Sequence, residues 1–225
     1  MSAFGRLLGS VAAAALPVAL AAQGTVVGRL DGRVAPDVVR AVQEIAGGVA
    51  ARGLPVEPLV DKAIEGAAKH VPTDRVIAAV RALAGRLDEA ATALRAGGVT
   101  SPGADAIEGG ADALNAGLSA AQVRDLVALS SGHLDPALTL RVAATLAALG
   151  VPPSQALDLV HNVIQGGGGA RDLLDLPSQV ETGVARGATP AQAAGALGHG
   201  DAATHGPATR PLHQPPPGQT NPHKP

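Results

Sequence analysis

The sequence has no cysteine and almost none of the large side chains that proteins use for recognition. Its 225 residues include one aromatic residue, Phe4, and one methionine, Met1. The missing cysteines exclude disulfide bonds, thiolate metal sites and a cysteine nucleophile. Ligand pockets and interface hot spots favour aromatic side chains, so the sequence offers few residues for either small-molecule or protein recognition. Any core must therefore be built from Leu, Val, Ile and Ala. A nucleotide bias towards G and C would favour much of the same composition.

The charge balance is close to neutral, with 17 Lys and Arg against 19 Asp and Glu. Proteins that bind nucleic acids usually carry a clustered basic stripe. The sequence shows no such cluster, so we expect no nucleic-acid partner.

The first 22 residues have the pattern of a secretory signal peptide. A short start with one positive charge precedes an apolar stretch at residues 7–20, and residues 19–21 offer a small-x-small cleavage site. The apolar stretch is shorter than the about 20 residues that cross a bilayer, and Pro17 interrupts it. We therefore expect an exported protein, periplasmic or extracellular, cleaved near residue 22. An uncleaved membrane anchor is the alternative interpretation.

A recurring phrase predicts the starts of helices along the rest of the chain. In this phrase an apolar residue precedes Pro, Ser or another small polar residue, and an apolar-periodic stretch follows. Proline suits the first helical turn, a neighbouring Ser, Thr or Asp caps free backbone N–H groups, and the apolar residue packs back on the helix. The phrase begins at Val34, Leu54, Val71, Leu118, Leu134, Val151, Leu176 and Ala188.

Glycines predict the helix ends, because a left-handed residue after a helix is often glycine. They are Gly53, Gly98, Gly117, Gly132, Gly150, Gly166 and Gly187. Between these starts and stops, apolar residues recur at steps of three and four, which is the period of a helix and not of a strand. The longest such stripe runs from Val76 to Leu94.

The spacing of the starts predicts a repeat. Several starts are about 16–20 residues apart, so two helices make a unit of about 34 residues, the scale of helix-pair repeats. The phrase Ala-Ile-Glu-Gly at 63–66 returns at 106–109, an offset that indicates a degenerate repeat with an insertion around 87–98. We expect an all-α fold of antiparallel helix pairs stacked as a degenerate helical-repeat array, either solenoid-like or an irregular bundle.

Composition divides the chain into four segments. They are a signal peptide at 1–22, a short linker at 23–33, the helical repeat domain at 34–197 and a disordered tail at 198–225. The tail is rich in Gly, Pro, Thr and His and has too little apolar surface to order itself.

Within the helical domain, one composition break stands out. The four glycines at 166–169 are expected to form a flexible joint that interrupts the array. Shorter and weaker helices are predicted after them, around residues 177–186 and 190–197.

The histidines near the end of the sequence form the first candidate site. His199, His205, His213 and His223 are metal ligands by residue type. A metal site needs three or four ligands in fixed geometry, and these histidines are six to ten residues apart with no cysteine or paired carboxylates among them. We predict a solvated segment and no bound metal.

Three further groups resemble catalytic or ligand-binding arrangements. Asp158 and His161 lie three residues apart and share a helix face, as a general-base pair or an ordinary surface hydrogen bond does. Asp61 and Glu65 could pair as carboxylates, but Lys62 and Lys69 favour a solvated charged face.

The serine at 130 or 131 precedes a histidine at 133, without a residue to orient them or a nucleophile elbow around them. The glycine run lacks the Lys-Ser/Thr that completes a phosphate loop.

No catalytic constellation, cofactor motif or metal set emerges from these candidates. We therefore expect an exported, non-catalytic helical-repeat protein that binds a protein or peptide of the cell envelope. The alternative is an amphipathic, surface-active protein on lipid or another apolar interface, although such helices usually carry Trp or Phe and many Lys or Arg. The oligomeric state stays open.

Overall fold

The computed structural model describes residue 26 and residues 28–200, except 131 and 133. All regular elements in this part of the chain are helices, so the all-α prediction is confirmed. Residues 28–30 are helical and precede the first long helix. The helices that follow are α1 (Pro36–Ala51), α2 (Glu57–Ala68), α3 (Thr73–Ala96), α4 (Ala104–Asn115), α5 (Ala120–Ser130), α6 (Pro136–Ala148), α7 (Pro153–Gln165), α8 (Ala170–Ala185) and α9 (Pro190–Gly200).

The helices stack as a linear array of two layers. Each helix packs mainly on the helices one and two positions away in chain order. The odd-numbered helices α1, α3, α5, α7 and α9 contact one another in succession, and so do α4, α6 and α8. The remaining even-numbered helix, α2, packs on α1 and α3. Contacts that are this local in sequence are the property of helical-repeat arrays.

The core consists of aliphatic side chains between the two layers. Its large and fully buried members include Leu30, Leu59, Leu87, Leu94, Ile107, Leu126, Leu140, Leu146 and Leu173. Val26 is buried as well. The segment 23–33, which was expected to be a linker, thus contributes Val26 and Leu30 to the core.

The end of one helix and the start of the next are joined by a single turn, as the turn after α6 shows. After α6, Gly150 has a φ of 93° and its N–H donates to Ala147 O at 3.0 Å. The next N–H, of Val151, donates to Leu146 O at 3.1 Å, and the Val151 side chain is buried. These two bonds satisfy carbonyls that the helix end leaves free. The apolar residue that opens the predicted phrase thus also closes the preceding helix.

Capping side chains hold several of the predicted starts. The N–H of Ser119 donates to Gln122 Oε1 at 2.9 Å, and Thr189 and Gln192 repeat this bond at 2.9 Å before α9. Before α6, the Ala137 N–H donates to Asp135 Oδ1 at 2.9 Å. Seven of the eight predicted phrases precede a helix that begins as expected.

The eighth predicted start is wrong, because Pro177 lies inside α8. This helix begins at Ala170, where the Gly169 N–H donates to Asp172 Oδ2 at 2.7 Å. Proline has no N–H and removes a hydrogen bond from a helix interior, which is why the sequence favoured a start there. Burial of Leu173, Leu176 and Val180 on both sides of the proline holds α8 together as one helix.

The four glycines form a tight turn and do not interrupt the array. Gly167, and not Gly166, has the left-handed φ, at 81°. A Cβ on Gly168 would lie 2.6 Å from Val163 Cγ1, so glycine is required for this approach. Both α6 and α7 pack on α8 across the turn. Helix α9 continues to Gly200, so residues 198–200 of the predicted tail are helical, and the rest of that segment lies outside the described part of the chain.

Small residues let the layers approach closely. The paired glycines of α4 face two neighbours: a Cβ on Gly109 would lie 3.2 Å from Ala137 O of α6, and one on Gly110 would lie 2.9 Å from Ala90 Cβ of α3. Both glycines are buried. The contact of α4 with α3 and α6 therefore depends on the absence of two methyl groups.

We expect Gly110→Ala to lower the free energy of unfolding by about 1–3 kcal/mol, because the added methyl overpacks the contact with Ala90. The measurement is urea unfolding followed by circular dichroism. The matched control is Gly85→Ala on α3, where a Cβ meets nothing within 4 Å and the substitution should stabilise the helix by about 0.5–1 kcal/mol. Equal effects of the two substitutions would contradict close packing at Gly110.

Candidate interaction surface

The structure gives no support to a catalytic pair at Asp158 and His161. Both side chains are exposed on α7, and no hydrogen bond joins them in the part of the chain that the structure describes. Ser130 is buried and donates its hydroxyl to Leu126 O at 2.7 Å, which satisfies it within α5. Ser131, the alternative serine, and His133, the histidine near both, lie outside the described residues.

The prediction for the tail histidines stays untested. His199 lies at the end of α9, and residues 205, 213 and 223 lie outside the described part of the chain. Within the described residues, no three His, Cys, Asp or Glu side chains come together in a way that could hold a metal ion.

The acidic residues of α2 form a network of ion pairs at the surface. Lys62 Nζ lies 2.9 Å from Glu65 Oε2, and Lys69 also contacts this carboxylate. Arg29 bridges Asp61, at 2.7 Å, and Glu57. Hydrogen bonds from Lys69 and Lys62 lower the pKa of Glu65 to about 2. This is the charged face that the sequence favoured over a carboxylate pair.

Charge is divided unequally between the two layers. The even-numbered helices contain nine acidic and three basic residues, whereas the odd-numbered helices contain seven acidic and six basic ones. The even-numbered helices are therefore the more acidic set. Helices α4, α6 and α8, which pack on one another and which we call the even layer, hold six acidic and two basic residues, whereas the odd layer is nearly neutral. Helices from the two layers alternate along the chain, so the difference in charge between the layers is not visible in the sequence.

The acidic character is greatest on α4. Asp105, Glu108 and Asp112 lie three and four residues apart and share one face, and α4 has no basic residue. Partial burial, followed by the charge of Asp105, raises the pKa of Glu108, and partial burial raises the pKa of Asp112. Arg141 on α6 opposes both shifts and lies 3.6 Å from Asp105.

A groove of about 390 Å³ lies beside this acidic face, and we call it the α6/α8 groove. Its apolar part consists of Leu138 and Val142 on α6 with Leu174 and Pro177 on α8. Its polar lining is Asp105, Asp135, Arg141 and Thr145, and Ala137 completes it. The lining thus combines apolar side chains with two carboxylates and one guanidinium.

Leu174 makes the groove unusual for this protein. The side chain of Leu174 is 59% exposed, and Val184, at 40%, is the other large apolar residue found exposed in the described part of the chain. Single exposed apolar residues are common, so exposure alone carries little weight. Here the exposed leucine lines a concave surface next to charged groups, which is the pattern of a binding groove.

Some of the acidic residues also have a structural role. Asp135 caps α6, and Asp105 and Asp172 lie in the first turns of α4 and α8. Carboxylates at these positions interact favourably with the positive end of the helix dipole. Glu108 and Asp112 lie beyond the first turn of α4, where the helix dipole has little effect.

A larger groove, about 710 Å³, lies at the start of the array. It is lined by residues 31–36, by Val39, Arg40 and Gln43 of α1 and by Ala67. Its charged residues, Asp31, Arg33 and Arg40, include both signs, and none of its large apolar residues is exposed. It therefore offers less for recognition than the α6/α8 groove.

The sequence contained one signal for the surface, which sequence analysis missed. The segment 104–115 has three acidic residues and no basic one. These acids become part of a larger acidic surface only when α4 packs on the other even-numbered helices. Arg141 and Leu174 carry no local signal, because an arginine and a leucine are ordinary on any amphipathic helix.

Comparisons with protein-family models, with curated proteins and with solved structures give no match for this chain. In the described part of the chain, no helix has both the length and the apolar character that crossing a bilayer requires. The fold therefore defines the class, an all-α array of stacked helices with one acidic layer.

Glu108→Gln should stabilise the fold at neutral pH. The folded state raises the pKa of Glu108 above its ordinary value of 4.5, so between that value and the folded-state pKa the folded protein binds more protons than the unfolded chain. Stability that depends on this group is then present below pH 4.5 and lost as pH rises through the folded-state pKa. Glutamine has the same shape as glutamate and carries no charge, so the variant should not lose this stability as the pH rises.

The measurement compares urea midpoints of the wild type and Glu108→Gln at pH 4 and pH 7. We expect the stability of the variant relative to the wild type to be greater at pH 7 than at pH 4. Glu89→Gln, at an exposed carboxylate of α3, is the matched control for the loss of one surface charge. A pH-independent difference for Glu108→Gln would disprove the raised pKa.

Proposed function

We propose that this protein is a non-catalytic interaction module that binds a basic protein segment on its acidic layer, at the α6/α8 groove. The observation that carries the proposal is the juxtaposition of exposed Leu174 with Asp105 and Asp135 in one groove. An apolar side chain of the partner would bury against Leu174, and a Lys or Arg beside it would pair with the carboxylates. Electrostatic complementarity of this kind speeds encounter and selects among partners.

The lining of the groove limits the strength of binding. It holds no aromatic side chain, and a volume of about 390 Å³ takes only a few side chains. Interface hot spots are usually built on Trp, Tyr or Arg, and Arg141 is the one such residue in the groove. We therefore propose a peptide-like partner with a dissociation constant on the order of micromolar.

The surface-active alternative has less support. Such a protein needs apolar helix faces that are free to meet lipid. The apolar stripes of the described helices are buried between the two layers, and the acidic layer would be repelled by anionic lipids. An acidic layer also favours the expectation that nucleic acids are not partners.

The test is selection of a random peptide library, displayed on phage, against the immobilised full chain. We expect enriched peptides to combine Lys or Arg with a neighbouring apolar residue. For a selected synthetic peptide, Leu174→Asp should weaken binding about tenfold, a loss of about 1.4 kcal/mol. Fluorescence anisotropy measures the affinity, which should also fall as NaCl is raised, because salt screens exposed charges.

Matched controls separate the groove from the rest of the surface. Val184→Asp introduces the same charge at the other exposed apolar residue of α8, and Asp158→Asn removes one charge from the odd layer. Neither should change the affinity by more than about twofold, since neither lines the groove. Failure to enrich any peptide, or equal losses for Leu174→Asp and Val184→Asp, would refute the proposal.

Export is proposed on the first 22 residues alone. Expression of the whole sequence in a bacterial host should place the protein in the periplasmic fraction, with a new N-terminus after residue 21 or 22. Mass spectrometry of the intact protein detects this cleavage. A cytoplasmic protein that retains Arg6 would show that the segment is not a signal peptide.

A further inference from the structure

Arg141 lies against α4 in the middle of its acidic face. A Cβ on Gly109 would lie 3.5 Å from Arg141 Cγ, so the aliphatic part of Arg141 packs on α4 at this glycine. Asp105 is four residues before Gly109 and Asp112 is three residues after it, which is about one helical turn to either side. The Arg141 guanidinium lies 3.6 Å from Asp105 Oδ1, a distance longer than that of a hydrogen bond. Arg141 is therefore placed between carboxylates of α4, and its contact with Asp105 is loose.

The same sequence phrase, Ala-Ile-Glu-Gly, stands among opposite charges in α2 and α4. Its glutamate in α2, Glu65, has lysines three residues before it and four residues after it, and both contact its carboxylate. In α4 the same two places around Glu108 hold Asp105 and Asp112. The lysines lower the pKa of Glu65 to about 2, whereas burial and then Asp105 raise the pKa of Glu108. Helix α4 thus keeps a glutamate that takes up a proton closer to neutral pH than an ordinary one.

Charges from three helices act on the two carboxylates whose pKa values are raised. Burial has the largest effect on the pKa of Glu108, followed by Asp105. Arg141 of α6 opposes this shift, and Asp112 and, from α2, Asp61 add to it. Burial raises the pKa of Asp112, and Arg141 opposes that shift as well. Helices α3 and α5, which also pack on α4, contribute no charge to either shift within the described residues. The cation that acts on both carboxylates is thus Arg141, which also lines the α6/α8 groove.

Protonation of Glu108 and Asp112 changes the pairing of Arg141. The pKa values of the two carboxylates are raised from 4.5 and 3.8, so both lose their charge as the pH falls from neutral through the raised values. Neutral carboxyl groups no longer attract the guanidinium, and Arg141 is left to pair with Asp105. The groove also loses two neighbouring negative charges. Affinity for a cationic partner is therefore greatest above the raised pKa values and falls as the pH falls through them.

We propose that Glu108, Asp112 and Arg141 form a pH switch that controls the α6/α8 groove. At neutral pH Arg141 is shared among the carboxylates of α4, and Asp105 is open to a Lys or Arg of the partner. On acidification Arg141 pairs with Asp105 and excludes the partner's cation. Because binding and proton uptake are linked, a bound partner in turn favours the charged forms of Glu108 and Asp112. The inference rests on the binding groove of the proposed function and supplies its regulation.

The test follows the affinity of the full chain for a selected library peptide as the pH is lowered. The peptide contains no histidine, the ionic strength is constant, and fluorescence anisotropy gives the dissociation constant. We expect this constant to rise about tenfold between pH 7.5 and pH 4.5, because two charges near the bound cation are lost. Glu108→Gln with Asp112→Asn should remove most of this pH dependence. At pH 7.5 this double variant should bind about as weakly as the wild type does at pH 4.5.

The matched control is Glu89→Gln with Asp158→Asn, which removes two exposed carboxylates from the odd layer. Its affinity should depend on pH as that of the wild type does. Circular dichroism at both pH values checks that each protein stays folded. A wild-type affinity that is equal at the two pH values would overturn the proposal. Equal pH dependence in the wild type and in Glu108→Gln with Asp112→Asn would overturn it too, because other groups would then be responsible.

A second measurement, on the protein without a peptide, separates this inference from the proposed function. The NMR signal of the Arg141 Nε–Hε group, assigned by its absence from Arg141→Lys, should shift with pH at the midpoint of the Glu108 carboxyl carbon. The shift should be lost in Glu108→Gln with Asp112→Asn. A shift of Arg141 without any peptide binding refutes the external partner and keeps the switch. Peptide binding that is lost in Leu174→Asp, with an Arg141 signal that does not respond to pH, keeps the groove and refutes the switch.

Discussion

The array depends on how closely its helices approach one another at small residues. A core of Leu, Val, Ile and Ala has little apolar surface per side chain, and burial contributes only about 25 cal/mol per Å². Close approach compensates for this, because each aliphatic side chain then contacts more atoms of its neighbours. Gly110 against Ala90, and Gly183 against Ala193, are the contacts where a single methyl group would separate the helices.

The turns connect this packing to the chain. At Gly150 and Val151 one pair of hydrogen bonds closes α6, and the buried valine anchors the next start. The turn thereby fixes the direction of each helix relative to the helix before it. Because this turn repeats, successive helices lie alternately in two layers. The more acidic helices are even-numbered, so the even layer is acidic. The proposed interaction surface is therefore a consequence of the repeat, and the α6/α8 groove is part of it.

The secondary structure was readable from the sequence wherever a helix boundary has local chemistry. Phrases such as Val151-Pro152-Pro153 predicted seven starts, because proline, a capping residue and an apolar residue act within one turn. The starts of α4 and α8 were missed, since neither follows that phrase; α8 begins with a bond from the Gly169 N–H to Asp172. The start predicted at Pro177 was wrong because burial of α8 on α6 outweighs the loss of one backbone hydrogen bond.

The sequence by itself determined the all-helical class, the stacked pairs and the aliphatic core, because helical periodicity and turn chemistry are local properties. It could not determine the site. Asp105, Arg141 and Leu174 come from three helices that are separated by intervening helices of the other layer, and each residue is unremarkable on its own helix. Only the packing of α4, α6 and α8 in one layer brings them to one groove, because charge and shape complementarity are properties of a surface and not of a segment.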